Sequence, residues 1–83
     1  MRVRVLYFAK SREAAGTAEE EFELPSGATT TELLGNMVAK HAGLASVMTA
    51  CVLALNQEYL EKDEAAALKD GDEVAVIPPL SGG

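Results

Sequence analysis

Arg2-Val3-Arg4-Val5-Leu6-Tyr7-Phe8-Ala9 opens the chain and decides how the rest is read. Side chains along a strand alternate between two faces, so Val3, Val5 and Tyr7 share one, and Arg2, Arg4, Leu6 and Phe8 the other. The first set predicts a core face. The second begins with two charges and ends with two large apolar groups, which makes part of it an adhesive surface.

Outward from this strand, Lys10–Ala15 predicts a short helical link closed by Gly16, which tolerates a left-handed C-cap. Residues 19–24 predict a second strand, with Phe22 and Leu24 inward and the glutamates solvated along an edge. Three consecutive acids in a strand point to alternating faces and make a poor metal site. Pro25-Ser26-Gly27 breaks the strand and completes a first hairpin. Thr29 and Glu32 have capping-box spacing, and a helix is expected over residues 30–41 with the stripe Leu33, Leu34, Met37 and Val38. Gly43 ends it, and residues 44–49 add a further helical turn. The apolar run 51–55 reads as a buried third strand. Asn56-Gln57-Glu58 turns into a short segment at Tyr59-Leu60, and residues 62–67 read as a surface loop or helical turn. Asp70-Gly71-Asp72 is a turn before the last strand, Glu73–Ile77, where Val74 and Val76 oppose Glu73, Ala75 and Ile77.

One long helix must therefore cover one face of a mixed sheet. The expected class is α+β, a ubiquitin-like β-grasp of four to five strands with the first and last side by side at its centre. Residues 1–77 form the domain and 78–83 a flexible, extended arm. That places Phe8 and Ile77 together on the uncovered face, where the arm departs. In the arm, Pro78 and Pro79 favour a stiff extended path. Gly82 and Gly83 lack the Cβ that would bar them from a narrow channel. Six residues at roughly 3.3 Å each reach up to about 20 Å. Taken alone, the arm also reads as a frayed end with chance glycines.

Eighty-three residues, 48% hydrophobic and 24% charged, describe one globular domain rather than a disordered chain. Thirteen acids against seven Lys and Arg leave a net charge of −6, which disfavours nucleic acid as a partner. No apolar run approaches the ~20 residues of a membrane span, and the start lacks a secretory signal. The lone Cys51 suits a reducing compartment, so a cytosolic location is expected.

Catalytic constellations are scarce. His41 sits at a helix end, where its charge suits the dipole. Cys51 lies in an apolar run without a nearby base, and one Cys with one His offers too few soft ligands for zinc. Gly82-Gly83 opens no helix and cannot be a phosphate loop. Asp70 and Asp72 read as a solvated turn. The reactive group left is the carboxylate of Gly83, unreactive at neutral pH until activated. Adenylation would supply a leaving group; an amine would then form an isopeptide, and a sulfur donor a thiocarboxylate. The chain offers no ATP site, so activation needs a separate enzyme.

Three stretches carry a family resemblance: residues 5–13 with Gly16, residues 55–59 (Leu-Asn-Gln-Glu-Tyr) and residues 71–83 (Gly-Asp-Glu-Val-Ala-Val-Ile-Pro-Pro-Leu-Ser-Gly-Gly). Together they resemble the small subunit of molybdopterin synthase, in its eukaryotic form. The resemblance implies a sulfur carrier for molybdenum-cofactor synthesis. A ubiquitin-E1-like enzyme would adenylate Gly83 with Mg-ATP and convert it to a thiocarboxylate, so sulfur is carried covalently and the domain itself binds no cofactor or metal. The implied partner is the large catalytic subunit, in a heterotetramer of two small and two large chains. The implied acceptor is cyclic pyranopterin monophosphate, which two transfers convert to the dithiolene. Carried over by position, Gly83 bears the sulfur while Pro78, Pro79, Leu80, Ser81 and Gly82 enter the partner's pocket. Phe8, Tyr59 and Ile77 match the apolar partner-facing positions, and Arg12 a polar contact at their edge. Other readings are a carrier for thiazole or tRNA thiolation, an isopeptide-forming modifier, and an interaction module with an inert tail.

Overall fold

The computed structural model describes residues 1–61 and 64–78. Its elements are β1 (Arg2–Tyr7), α1 (Lys10–Ala15), β2 (Glu19–Glu23), α2 (Thr30–Lys40), α3 (Leu44–Met48), β3 (Val52–Leu55), β4 (Glu58–Tyr59) and β5 (Glu73–Ile77). The strands form one sheet in the order β2-β1-β5-β3-β4, with β1 and β5 parallel at its centre and the other pairs antiparallel. This is the expected α+β arrangement with a mixed five-stranded sheet. Of the arm expected over 78–83, Pro79, Leu80, Ser81, Gly82 and Gly83 lie outside the described residues.

The register explains the core. Val5 pairs with Val74 and Tyr7 with Val76, while Leu53 and Leu55 meet Val76 and Val74 from the other side. β-branched residues dominate this face, as a packed pleated surface favours. Leu33 and Met37 of α2 and Leu44 of α3 close over it, and all three are fully buried with Val3, Val5, Val74 and Val76. Each such side chain stabilises the fold by about 1.5–3 kcal/mol. Ser11 ties α1 to the end of β1: its hydroxyl donates to the Phe8 carbonyl at 2.7 Å and accepts the Phe8 N–H at 3.0 Å. Gly16 closes α1 at φ 76° as expected, its N–H on the Arg12 carbonyl.

Four expectations need correction. The Thr29–Glu32 capping box is not made: Thr29 has no side-chain cap bond. The next residue takes over. Buried Thr30 accepts the Ala66 N–H at 3.0 Å and donates to the Glu64 carbonyl at 3.3 Å, and its own N–H bonds the Ala66 carbonyl. The free amide at the helix start is thus satisfied by a loop 36 residues away. Secondly, α2 stops at Lys40 with His41 as its C-cap, before Gly43, which instead caps the start of α3.

Thirdly, the β2 edge is not uniformly solvated. Glu19, Glu21 and Glu23 are exposed, but Glu20 shares the inward face of Phe22 and Leu24, and its side chain is only 12% exposed. Its Oε2 accepts the Tyr7 hydroxyl and His41 Nε2, each at 2.6 Å, and its Oε1 takes Lys40 Nζ at 2.7 Å. Burial works to raise the carboxyl, but hydrogen bonds from Lys40, Tyr7 and His41 together hold it below its ordinary value. Burial, with Glu20 alongside, drives the Tyr7 phenol far above its usual range, so it stays a donor. Lastly, β3 is not buried on both faces: Leu53 and Leu55 pack on the core, whereas Val52 is 38% exposed.

Candidate functional site

The residues of opposite parity build the uncovered face. Leu6, Ala75, Ala54 and Tyr59 form one row across four strands. In the next row Val52 pairs with Ile77, and Phe8 follows directly on the last parallel pair, Tyr7–Val76. Phe8 (45% exposed), Val52 (38%) and Tyr59 (66%) are the exposed large hydrophobics among the described residues, and all three belong to this face. Ile77 is half-buried beside them, and Pro78 continues from it. Phe8, Tyr59 and Ile77 therefore share one face, Phe8 and Ile77 at its Pro78 end and Tyr59 on β4, two strands from β5. Arg12 lies apart, exposed on α1. Gly83, to which the chemistry was assigned, lies outside the described residues.

Val52 was missed because a short apolar run looks the same whether one face or both are covered. Its exposure has a structural cause. β4 pairs only with Ala54 and Leu55, so it stops short of Val52. At the opposite end of the face the rows turn charged: Arg4 stands between Glu21 and Glu73, and Arg2 meets Glu23 at 3.5 Å and Glu21 at 4.0 Å. The face thus has an apolar half at the Ile77–Pro78 end and a charged half away from it.

Two segments singled out by sequence are bonded to each other. Asn56 and Gln57 form the two-residue β3–β4 turn with φ of 49° and 72°. Asn56 Nδ2 donates to Asp72 Oδ1 at 3.0 Å, while Asn56 Oδ1 accepts the Glu73 N–H at 2.9 Å. Asp72 Oδ2 accepts the Lys69 N–H at 2.7 Å, and bonds from Asn56 and the Lys69 amide hold its carboxyl below the usual range. The turn and the entry to β5 are thereby one unit. Cys51, partly buried at the head of β3, has its thiol pushed up by burial and stays protonated. Among the described residues no group of three or more His, Cys, Asp or Glu could hold a metal ion. No helix among them is long and apolar enough to cross a membrane.

A mixed five-stranded sheet, covered by helices on one face and open on the other, defines the ubiquitin-like β-grasp class. Residues 5–83 match the ThiS family. The chain is 61% identical to the molybdopterin synthase sulfur carrier subunit of Chlamydomonas reinhardtii, covering 100% of both. It is 43% identical to the protein of that name in Homo sapiens, over 99% of this chain and 94% of that one. A solved structure described as putative molybdopterin converting factor, subunit 1, from Pyrococcus furiosus matches with a TM-score of 0.80 at 38% identity, over 96% of this chain and 99% of its own. The chain belongs to the ThiS family and, within it, to the molybdopterin synthase sulfur carrier subunits.

Proposed function

We propose that the chain carries sulfur on the carboxyl end of Gly83 for building the molybdopterin dithiolene. An E1-like enzyme joins the carboxylate to the adenylyl group of Mg-ATP, releasing pyrophosphate. Hydrosulfide-level sulfur then displaces AMP from the acyl carbon and, on losing its proton, leaves a thiocarboxylate. The charged arm, Pro78 to Gly83, enters the large synthase subunit, and its sulfur attacks an electrophilic carbon of cyclic pyranopterin monophosphate. Hydrolysis of the acyl–sulfur bond returns the carboxylate for another cycle. The acid and base groups belong to the large subunit.

The observation that carries this reading is the gathering of Phe8, Val52 and Tyr59 on the face from which the arm departs, in a chain 61% identical to a named sulfur carrier. An apolar patch of this kind suits a partner's surface, with half-buried Ile77 within it; Arg12, on α1 apart from the patch, is proposed as a separate polar contact. A partnership in two-plus-two stoichiometry with the large subunit is part of the proposal. The test is intact mass spectrometry after incubation with the activating enzyme, ATP and a sulfur source. Exchange of one oxygen for one sulfur at Gly83 is expected. An unchanged mass with an enzyme that charges a known carrier would refute it, and lysine conjugates in its place would favour a modifier.

A further inference from the structure

Tyr59 is held by very little. β4 is two residues long, at the edge of the sheet, and Tyr59 is 66% exposed. The ring is therefore aimed by the hairpin beneath it more than by packing. The turn of that hairpin is unfavourable on its own, because its two central positions have positive φ and neither is glycine. Asn56 supplies the compensation. Its backbone N–H bonds the Glu73 carbonyl at 2.8 Å, its side-chain oxygen takes the Glu73 N–H, and its amide nitrogen holds Asp72. Glu73 begins the strand that ends at Ile77 and leads into the arm. One side chain thus joins the element carrying Tyr59 to the element carrying Ile77.

We propose that Asn56 is a positioning residue for partner recognition: by bracketing Glu73 and holding Asp72, it sets where Tyr59 stands relative to Ile77 and the arm. The role rests on the docking function proposed above, with the large synthase subunit as occupant of the face. Asn56 touches no partner group itself. Its effect passes through Tyr59, and that dependence is measurable.

The experiment is calorimetric titration of the large synthase subunit with the full chain and its variants. N56G keeps a backbone at ease with positive φ and removes only the side-chain clamp. Y59A is expected to weaken binding tenfold or more, as loss of an aromatic anchor does. N56G should weaken it about three- to tenfold when Tyr59 is present, the worth of one or two exposed hydrogen bonds. In the Y59A background the same change should cost less than about twofold. N56D sets two carboxylates against each other and should bind weakly. In N56D/D72N the amide and carboxylate trade places, and most of the affinity should return. Full-strength binding by N56G, or an equal loss in both backgrounds, would overturn the positioning role while leaving the docking face intact. Full-strength binding by Y59A would remove the docking reading and this role with it.

Discussion

Gln57 occupies a position with φ of 72° that L side chains adopt at a cost, in a turn whose partner residue, Asn56, is already well suited to φ of 49°. Gln57→Gly should therefore stabilise the fold by about 0.4–1 kcal/mol, read as a rise of a few degrees in the thermal unfolding midpoint. Thr30 predicts the opposite sign. Its hydroxyl is 1% exposed with its residue and serves both the Ala66 amide and the Glu64 carbonyl. Thr30→Val keeps the shape and strands both groups, so about 1–3 kcal/mol should be lost in denaturant unfolding, and Thr30→Ser should lose much less. Gln57 was legible only as part of a turn, and Thr30 did not stand out by sequence. Thr29 matched the capping pattern, and only the docking of residues 64–67 on the helix start shows that its neighbour takes the part.

Between elements, the decisive contact is Glu20, which gathers Tyr7 of β1 and Lys40 and His41 at the end of α2 onto edge strand β2. Strand parity was enough to place Glu20 inward with Phe22 and Leu24, yet the run Glu19-Glu20-Glu21 reads as uniformly wet because its partners lie 13 to 21 residues away. The alternation in β1, by contrast, needs no distant partner to be read, and it located both the core face and Phe8. Glu20 also predicts a pH dependence. Its folded carboxyl titrates below the ordinary value of 4.5, so it adds stability that is complete above that pH and is lost as pH falls through the folded value. Thermal midpoints of the native chain and E20Q should differ most at neutral pH, by an amount reflecting about 1–3 kcal/mol, and converge as pH falls below the ordinary carboxylate value of 4.5. Parallel curves would show that Glu20 contributes no pH-linked stability.

For the molecule as a whole, the body has two unlike surfaces: helices cover one face of the sheet, and the other is left apolar where β5 ends at Ile77 and Pro78. The exposed apolar side chains cost the free protein solubility, and the net charge of −6 offsets this. Because that charge is spread over the body, a test of docking must separate place from charge. Val52→Glu and Ala39→Glu make the same change, each moving the net charge from −6 to −7, on opposite sides of the molecule. Val52 is on the open face and pairs with Ile77, whereas Ala39 is exposed on α2. Binding to the large synthase subunit should fall at least about tenfold for V52E and less than about twofold for A39E. Both thermal midpoints should stay within a few degrees of the native value, since neither residue is in the core. If the two variants bound alike, the patch would be no more than exposed surface, and the arm alone would have to guide the carrier to its partner.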